Sequence, residues 1–188
     1  MKLYKIYSRA IGLLFALSLL CVGCENEDIL DINDLEISPS NPESVVIVEP
    51  DDGITSVNAL TKAINENGDA TYILRRDGVY YMEGKNVLKH NVVIKAENGS
   101  GKMPIIQPIC DAQGALNADM IRLEGSATFE NIYIIGKDAA TGNLMQRLFR
   151  IDESNVRLKF DNCFIDHCRN FCIRTDNVNN KIYLNNST

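Results

Sequence analysis

Three arginines recur in similar settings along the second half of the chain: Arg122 in "MIRLE", Arg150 in "LFRID" and Arg174 in "CIRTD". A guanidinium offers a planar fork of donors that suits a carboxylate or a sulfate, so a column of arginines could grip an acidic glycan. Each also has an acid two residues on, at Glu124, Asp152 and Asp176. Residues i and i+2 share a face of a strand, and a self-paired arginine–carboxylate ladder is the simpler of the two readings. A second cluster gathers Cys163, Asp166, His167, Cys168 and Cys172. Its spacing fits no standard zinc pattern, and small cysteines commonly fill cores, so no metal site is expected. A disulfide among Cys110, Cys163, Cys168 and Cys172 is chemically open, and spacing alone selects no pair. The stretch "AENGSGKM" fails as a phosphate loop, because Ala96 stands where the first glycine should be and Met103 where Ser or Thr should be. No Ser, His and Asp arrangement suggests a nucleophilic triad, and no catalytic residue is assigned.

The start of the chain says where these groups are placed. Lys2, Lys5 and Arg9 precede an apolar run over residues 11–23, and "CVGC" occupies residues 21–24 at its end. The run is too short to span a bilayer comfortably and has the length of a secretion-signal core. The "CVGC" segment resembles a bacterial lipobox, which implies that residues 1–23 are removed and that Cys24 carries lipid. The full chain bears a net charge of −6. Residues 24–52, with ten acids and no base between Glu25 and Thr61, read as an acidic flexible tether. Beyond it, 15 acids face 16 bases over residues 62–188, so the folded part is nearly neutral and nucleic acid is an unexpected partner. Acids directly after the lipidated cysteine also resemble an export signal to the exterior of a Gram-negative outer membrane. The expected location is therefore the outer membrane, with the chain lipid-anchored and facing outward.

Residues 53–188 are expected to form one domain. In "SVNALTKAINENGD", Val57, Leu60 and Ile64 recur at helical spacing, with Ser56 placed to cap the start and Gly68 to end it. The segments that follow, from "ATYILRR" to "KIYL", are short, rich in β-branched and aromatic residues, and punctuated by Gly, Asn and Asp. No second helix is expected, although "ATGNLMQRLF" could hold a turn or two.

An internal repeat organises these strands. Displacing "LFRIDESNVRLKFDNCF" by 24 residues sets Arg150 over Arg174, Asp152 over Asp176, Asn155 over Asn179 and Asn162 over Asn186. An upstream copy, "MIRLEGSATFENIYI", places Arg122, Phe129 and Asn131 on the same columns after a short contraction. A repeat of this length holding two or three strands and no helix suits one coil of a β-solenoid. Val156, Leu158 and Phe160 then point inward, while Asn131, Asn162 and Asn186 sit at a corner as a structural ladder of stacked amides. The helix is expected to cover the first coil.

These features together resemble the right-handed parallel β-helix proteins of the pectin lyase type, nearest the chondroitinase B and alginate lyase branch. The resemblance rests on "GDATYILRRDGVYY", "NVVIKAENGSGKMPIIQP", "FENIYI" and "FDNCFIDHCRN". It implies an all-β, right-handed parallel β-helix with a short N-terminal capping α-helix. With the lipobox, the expected function is that of a surface lipoprotein that binds or helps degrade an acidic polysaccharide, the alternative being a non-catalytic glycan-binding, adhesin or structural module. Calcium is implied by the resemblance alone; the residues themselves point to no cofactor. The chain stops at Thr188 inside a repeat without a polar cap, so the domain is expected to be incomplete at its C-terminus.

Overall fold

The computed structural model describes residues 44–188. Cys24, the signal segment and residues 24–43 of the expected tether lie outside the described residues. The elements are β1 (Val45–Val48), α1 (Ala59–Asn67), β2 (Thr71–Leu74), β3 (Val79–Glu83), β4 (Asn86–Leu88), β5 (Val92–Ala96), β6 (Ile105–Ile109) and β7 (Asp119–Leu123). There follow β8 (Ala127–Glu130), β9 (Tyr133–Ile135), β10 (Met145–Ile151), β11 (Arg157–Asp161), β12 (Phe164–Asp166), β13 (Cys168–Thr175) and β14 (Lys181–Asn185). The described part is all-β apart from α1.

Its strands form three sheets of orders β1-β2-β5-β8-β11-β14, β3-β6-β9-β12 and β4-β7-β10-β13, and every pairing between named strands is parallel. From β2 onward the chain visits the three sheets in strict rotation, adding one strand to each on every round. Side chains from all three meet in one hydrophobic cluster, including Tyr72, Ile94 and Phe160 from the first sheet, Tyr80, Ile106 and Ile134 from the second, and Leu88, Ile121 and Phe149 from the third. Phe129 sits among the rings of Phe149 and Phe160, with centroids 5.3 and 5.5 Å away.

The register follows the repeat. Arg150 pairs with Arg174 and with Arg122, Leu158 with Ile182, and Phe160 with Phe129 and Leu184. Left-handed backbone marks the corners, with φ of 58° at Asn131, 50° at Asn162 and 46° at Asn186. The Asn162 side-chain amide donates to Asn131 Oδ1 at 2.6 Å. Burial falls off at β14: Leu158 and Phe160 are fully buried, whereas their register partners Ile182 and Leu184 are 41% and 62% exposed, because β14 is the last strand of its sheet.

Three expectations need correction. Residues 45–48, assigned to the tether, form β1, whose four residues pair in register with β2; four consecutive β-branched residues outweigh the surrounding acids. Ser56 does not cap α1. The cap residue is Asn58, whose side chain makes no capping bond, and Asp51 takes over, accepting from Ala59 N at 3.2 Å and from Ser56 Oγ at 2.8 Å. Met145–Ile151, part of a segment that could have held a helical turn, is strand β10. Helix α1 packs against β1, β3 and β4 through fully buried Leu60 and Ile64. Among the described residues no helix is long and apolar enough to cross a membrane.

Candidate functional site

The arginine column lies on the sheet of β4, β7, β10 and β13, and acids thread it. Arg122 Nη2 is 2.9 Å from Asp119 Oδ2, and its Nη1 is 3.4 Å from Asp152. Arg150 Nε reaches Asp152 at 2.6 Å, and Arg174 Nη2 reaches Asp176 at 3.0 Å. Asp119, almost wholly buried, is also paired with Arg147. Two of the acids two residues on therefore serve their own arginines, but Glu124 does not: it lies 4.0 Å from Lys89 Nζ instead. Asp119 and Arg147 extend the ladder, and no i+2 spacing could have shown them. Four guanidiniums are thus held by Asp119, Asp152 and Asp176, and an outside anion must compete with these partners.

Two loops lead into strands of the same sheet, 110–118 into β7 and 136–144 into β10. Loop 110–118 is folded by Asp111, whose Oδ1 accepts from Gln113 N at 3.0 Å and Ala115 N at 2.8 Å. Loop 136–144 is folded by Asp138, which is 1% exposed. Its Oδ1 accepts from Thr141 N at 2.6 Å, Thr141 Oγ1 at 2.7 Å and Ala140 N at 3.1 Å. Its Oδ2 reaches across to the other loop and accepts from Cys110 N at 3.1 Å. Burial works to raise the Asp138 carboxyl, yet the bonds from Thr141, Cys110 and Ala140 outweigh it and hold the group below its ordinary value. One carboxylate therefore ties the two loops together.

Between and beside these loops runs a cleft of about 360 Å³ lined by Leu116, Asn117, Ala118, Asn143, Leu144, Gln146 and Arg169. Asn117, Asn143, Gln146 and Arg169 are exposed. Gln146 comes from β10 and Arg169 from β13, where a bulge sets Cys168 opposite Met145 but Phe171 opposite Arg147. Unlike the four arginines of the ladder, Arg169 has no acid partner among the described residues. Three carboxamides and one unengaged guanidinium can exchange hydrogen bonds with hydroxyls and take one carboxylate. Neither loop belongs to the repeat, so the repeat could not have exposed this cleft.

The cysteine cluster is divided. Cys163 is buried, and its thiol donates to the carbonyls of Phe129 at 3.3 Å and Asp161 at 3.4 Å; burial pushes that thiol up. His167 Nδ1 is 2.9 Å from Asp166 Oδ2 on the surface. Among the described residues no three His, Cys, Asp or Glu side chains converge to hold a metal ion. Compared with known proteins, the chain matches no family model and no curated sequence.

Proposed function

We propose that residues 53–188, together with β1, form a right-handed parallel β-helix on an exported, Cys24-anchored lipoprotein, and that the domain binds an acidic polysaccharide in the cleft beside loops 110–118 and 136–144. The rotation of the strands through three parallel sheets around one core supports the coil, and the strong bias of parallel crossovers supports its hand. The observation that carries the binding reading is Arg169, a guanidinium with no acid partner among the described residues, standing in a cleft with Asn117, Asn143 and Gln146. Amides suit sugar hydroxyls, and a guanidinium fork suits a uronate carboxylate. The recognised charge thereby passes from the Arg122, Arg150 and Arg174 column, whose members are already engaged by internal acids, to Arg169.

The test is retention on an immobilised uronic-acid polymer and on the same polymer after its carboxyls are reduced to alcohols. Retention on the first, weakened by salt and lost on the second, is expected. Equal behaviour on both matrices contradicts the reading. Incubation with the soluble polymer separates binding from lyase-type degradation, since a lyase releases unsaturated, ultraviolet-absorbing ends.

A further inference from the structure

The stretch "AENGSGKM", which fails as a phosphate loop, holds Asn98-Gly99, one of the two Asn-Gly pairs of the chain; the other is Asn67-Gly68 at the end of α1. The fold treats the two pairs oppositely. At the helix end, Asn67 Nδ2 donates to Ala63 O at 2.8 Å and Gly68 N donates to Ile64 O at 2.8 Å, so the side-chain amide and the following backbone N–H are both engaged. Asn98, Gly99 and Ser100 are exposed, and among the described residues neither the Asn98 amide nor the Gly99 N–H has a hydrogen-bond partner. Gly99 stands at φ 120°, with no atom within 4 Å of where a Cβ would lie. The loop is pinned only at its ends. Arg76 donates from Nε to Glu97 O at 2.9 Å and from Nη1 to Gly101 O at 3.2 Å. Asp77 N donates to Lys102 O at 3.1 Å, and Asp77 Oδ1 accepts from Lys102 N at 3.1 Å. Residues 98–100 therefore form a short solvated excursion between fixed ends.

We propose that Asn98 is a self-modification site, whose amide is converted to a carboxylate by the chain's own backbone and water, and that the fold shields Asn67 from the same reaction. The Gly99 nitrogen gives its proton to hydroxide and attacks Asn98 Cγ. The N–Cγ bond forms, the Cγ–Nδ2 bond breaks, and Nδ2 takes up a proton and leaves as ammonia. Water then opens the cyclic imide at either carbonyl. Opening at one leaves an aspartate at position 98; opening at the other routes the main chain through the side chain as isoaspartate. No oxidant or reductant takes part. Glycine favours the attack because it has no Cβ to crowd the nitrogen and its backbone turns readily. At Asn67 the same approach must first break the bond that ends α1 and the bond to Ala63 O, and the helix holds both. Residues 98–100 lie between β5 and β6, so the conversion adds a negative charge to the loop without interrupting a strand pairing.

The full chain is held folded in mildly alkaline buffer, sampled over time, quenched in acid and digested with trypsin. Asn98 falls in peptide 96–102 and Asn67 in peptide 63–75, so mass spectrometry follows each separately by the mass gained when NH2 becomes OH, and fragmentation assigns the position. Asn98 is expected to convert at least about tenfold faster than Asn67, because two hydrogen bonds must open at the helix end and none in the loop. In concentrated urea the two rates should come within about threefold of each other, since both pairs are then equally solvated. The acidic species seen on isoelectric focusing of the aged wild-type chain should be lost in Asn98→Gln, whose longer side chain disfavours the ring. Equal rates in the folded chain overturn the proposal. So does a preference for Asn98 that persists unchanged in urea, which would belong to the local sequence and not to the fold. The wild-type time course decides the matter whether or not the variant folds.

Discussion

Replacing Asp138 probes the groundwork of the cleft. Its carboxylate is 1% exposed and accepts four hydrogen bonds, three from Ala140 and Thr141 within its own loop and one from Cys110 N of the neighbouring loop at 3.1 Å. In Asp138→Asn one oxygen survives to serve Thr141, but an amide NH2 replaces the other and faces the Cys110 N–H, donor against donor. A bond to a charged acceptor contributes about 1.5–3 kcal/mol, and an orphaned buried donor costs a similar amount. The Asn variant should lose about 2 kcal/mol, and Asp138→Ala, which orphans every donor, about 3–4 kcal/mol. Urea unfolding followed by circular dichroism reads both differences as shifts in midpoint. The pH dependence supplies an independent sign. The folded carboxyl lies below its ordinary value. Its stabilisation is therefore complete above an unfolded value of about 3.9 and is lost as pH falls through the folded value. The gap between wild type and Asp138→Asn must shrink as the solution is acidified below about pH 4. A cost under about 0.5 kcal/mol at neutral pH, or a gap that widens in acid, refutes the reasoning.

Other positions give further expectations. Asn162 stands at φ 50° with its amide on Asn131. Asn162→Gly should cost about 1 kcal/mol for the lost bond and Asn162→Ala about 2–3 kcal/mol, because alanine adds left-handed strain; equal costs in urea unfolding contradict this. Phe129, fully buried between two rings, should lose about 3–5 kcal/mol on truncation to Ala. Leu184→Ala, at a position 62% exposed on β14, should lose under about 1 kcal/mol by the same measurement. Cys24→Ser should release the chain from the membrane fraction into the soluble exported fraction; continued sedimentation with membranes contradicts lipid anchoring at that residue.

Much of the strand framework could be read from the chain because its repeat coincides with the hydrogen-bonded register. The 24-residue offset that superposes Arg150 on Arg174 also pairs them in the sheet, and it sets Leu158 beside Ile182. What escaped the reading depends on contacts between rounds or on segments outside the repeat. Asp119 joins the arginine ladder through Arg147 on the next strand and Arg122 three residues on, where an i+2 rule does not look. The "VVIV" of β1 was averaged away by a charge count taken over the whole acidic stretch. Ser56 has the residue type of a cap, but the carboxylate that reaches Ala59 N belongs to Asp51, which is also fixed by Tyr81 N at 2.9 Å. Arg169 reads as one more cation in "DHCRNFC". Its distinction comes from the bulge that presents it and from the lack of an acid beside it among the described residues, and neither is a property of spacing.

The central claim is that Arg169 recognises the charge of an acidic glycan in the cleft. Titration calorimetry of a uronic-acid oligosaccharide into the wild-type chain and into Arg169→Ala tests it most directly, with Arg174→Ala as the comparison from the acid-paired column. Loss of one charge-assisted contact of about 1.5–3 kcal/mol predicts that Arg169→Ala weakens binding by roughly tenfold to a hundredfold, while Arg174→Ala changes it by less than about threefold. Unchanged affinity in Arg169→Ala, or a larger loss in Arg174→Ala, contradicts the account.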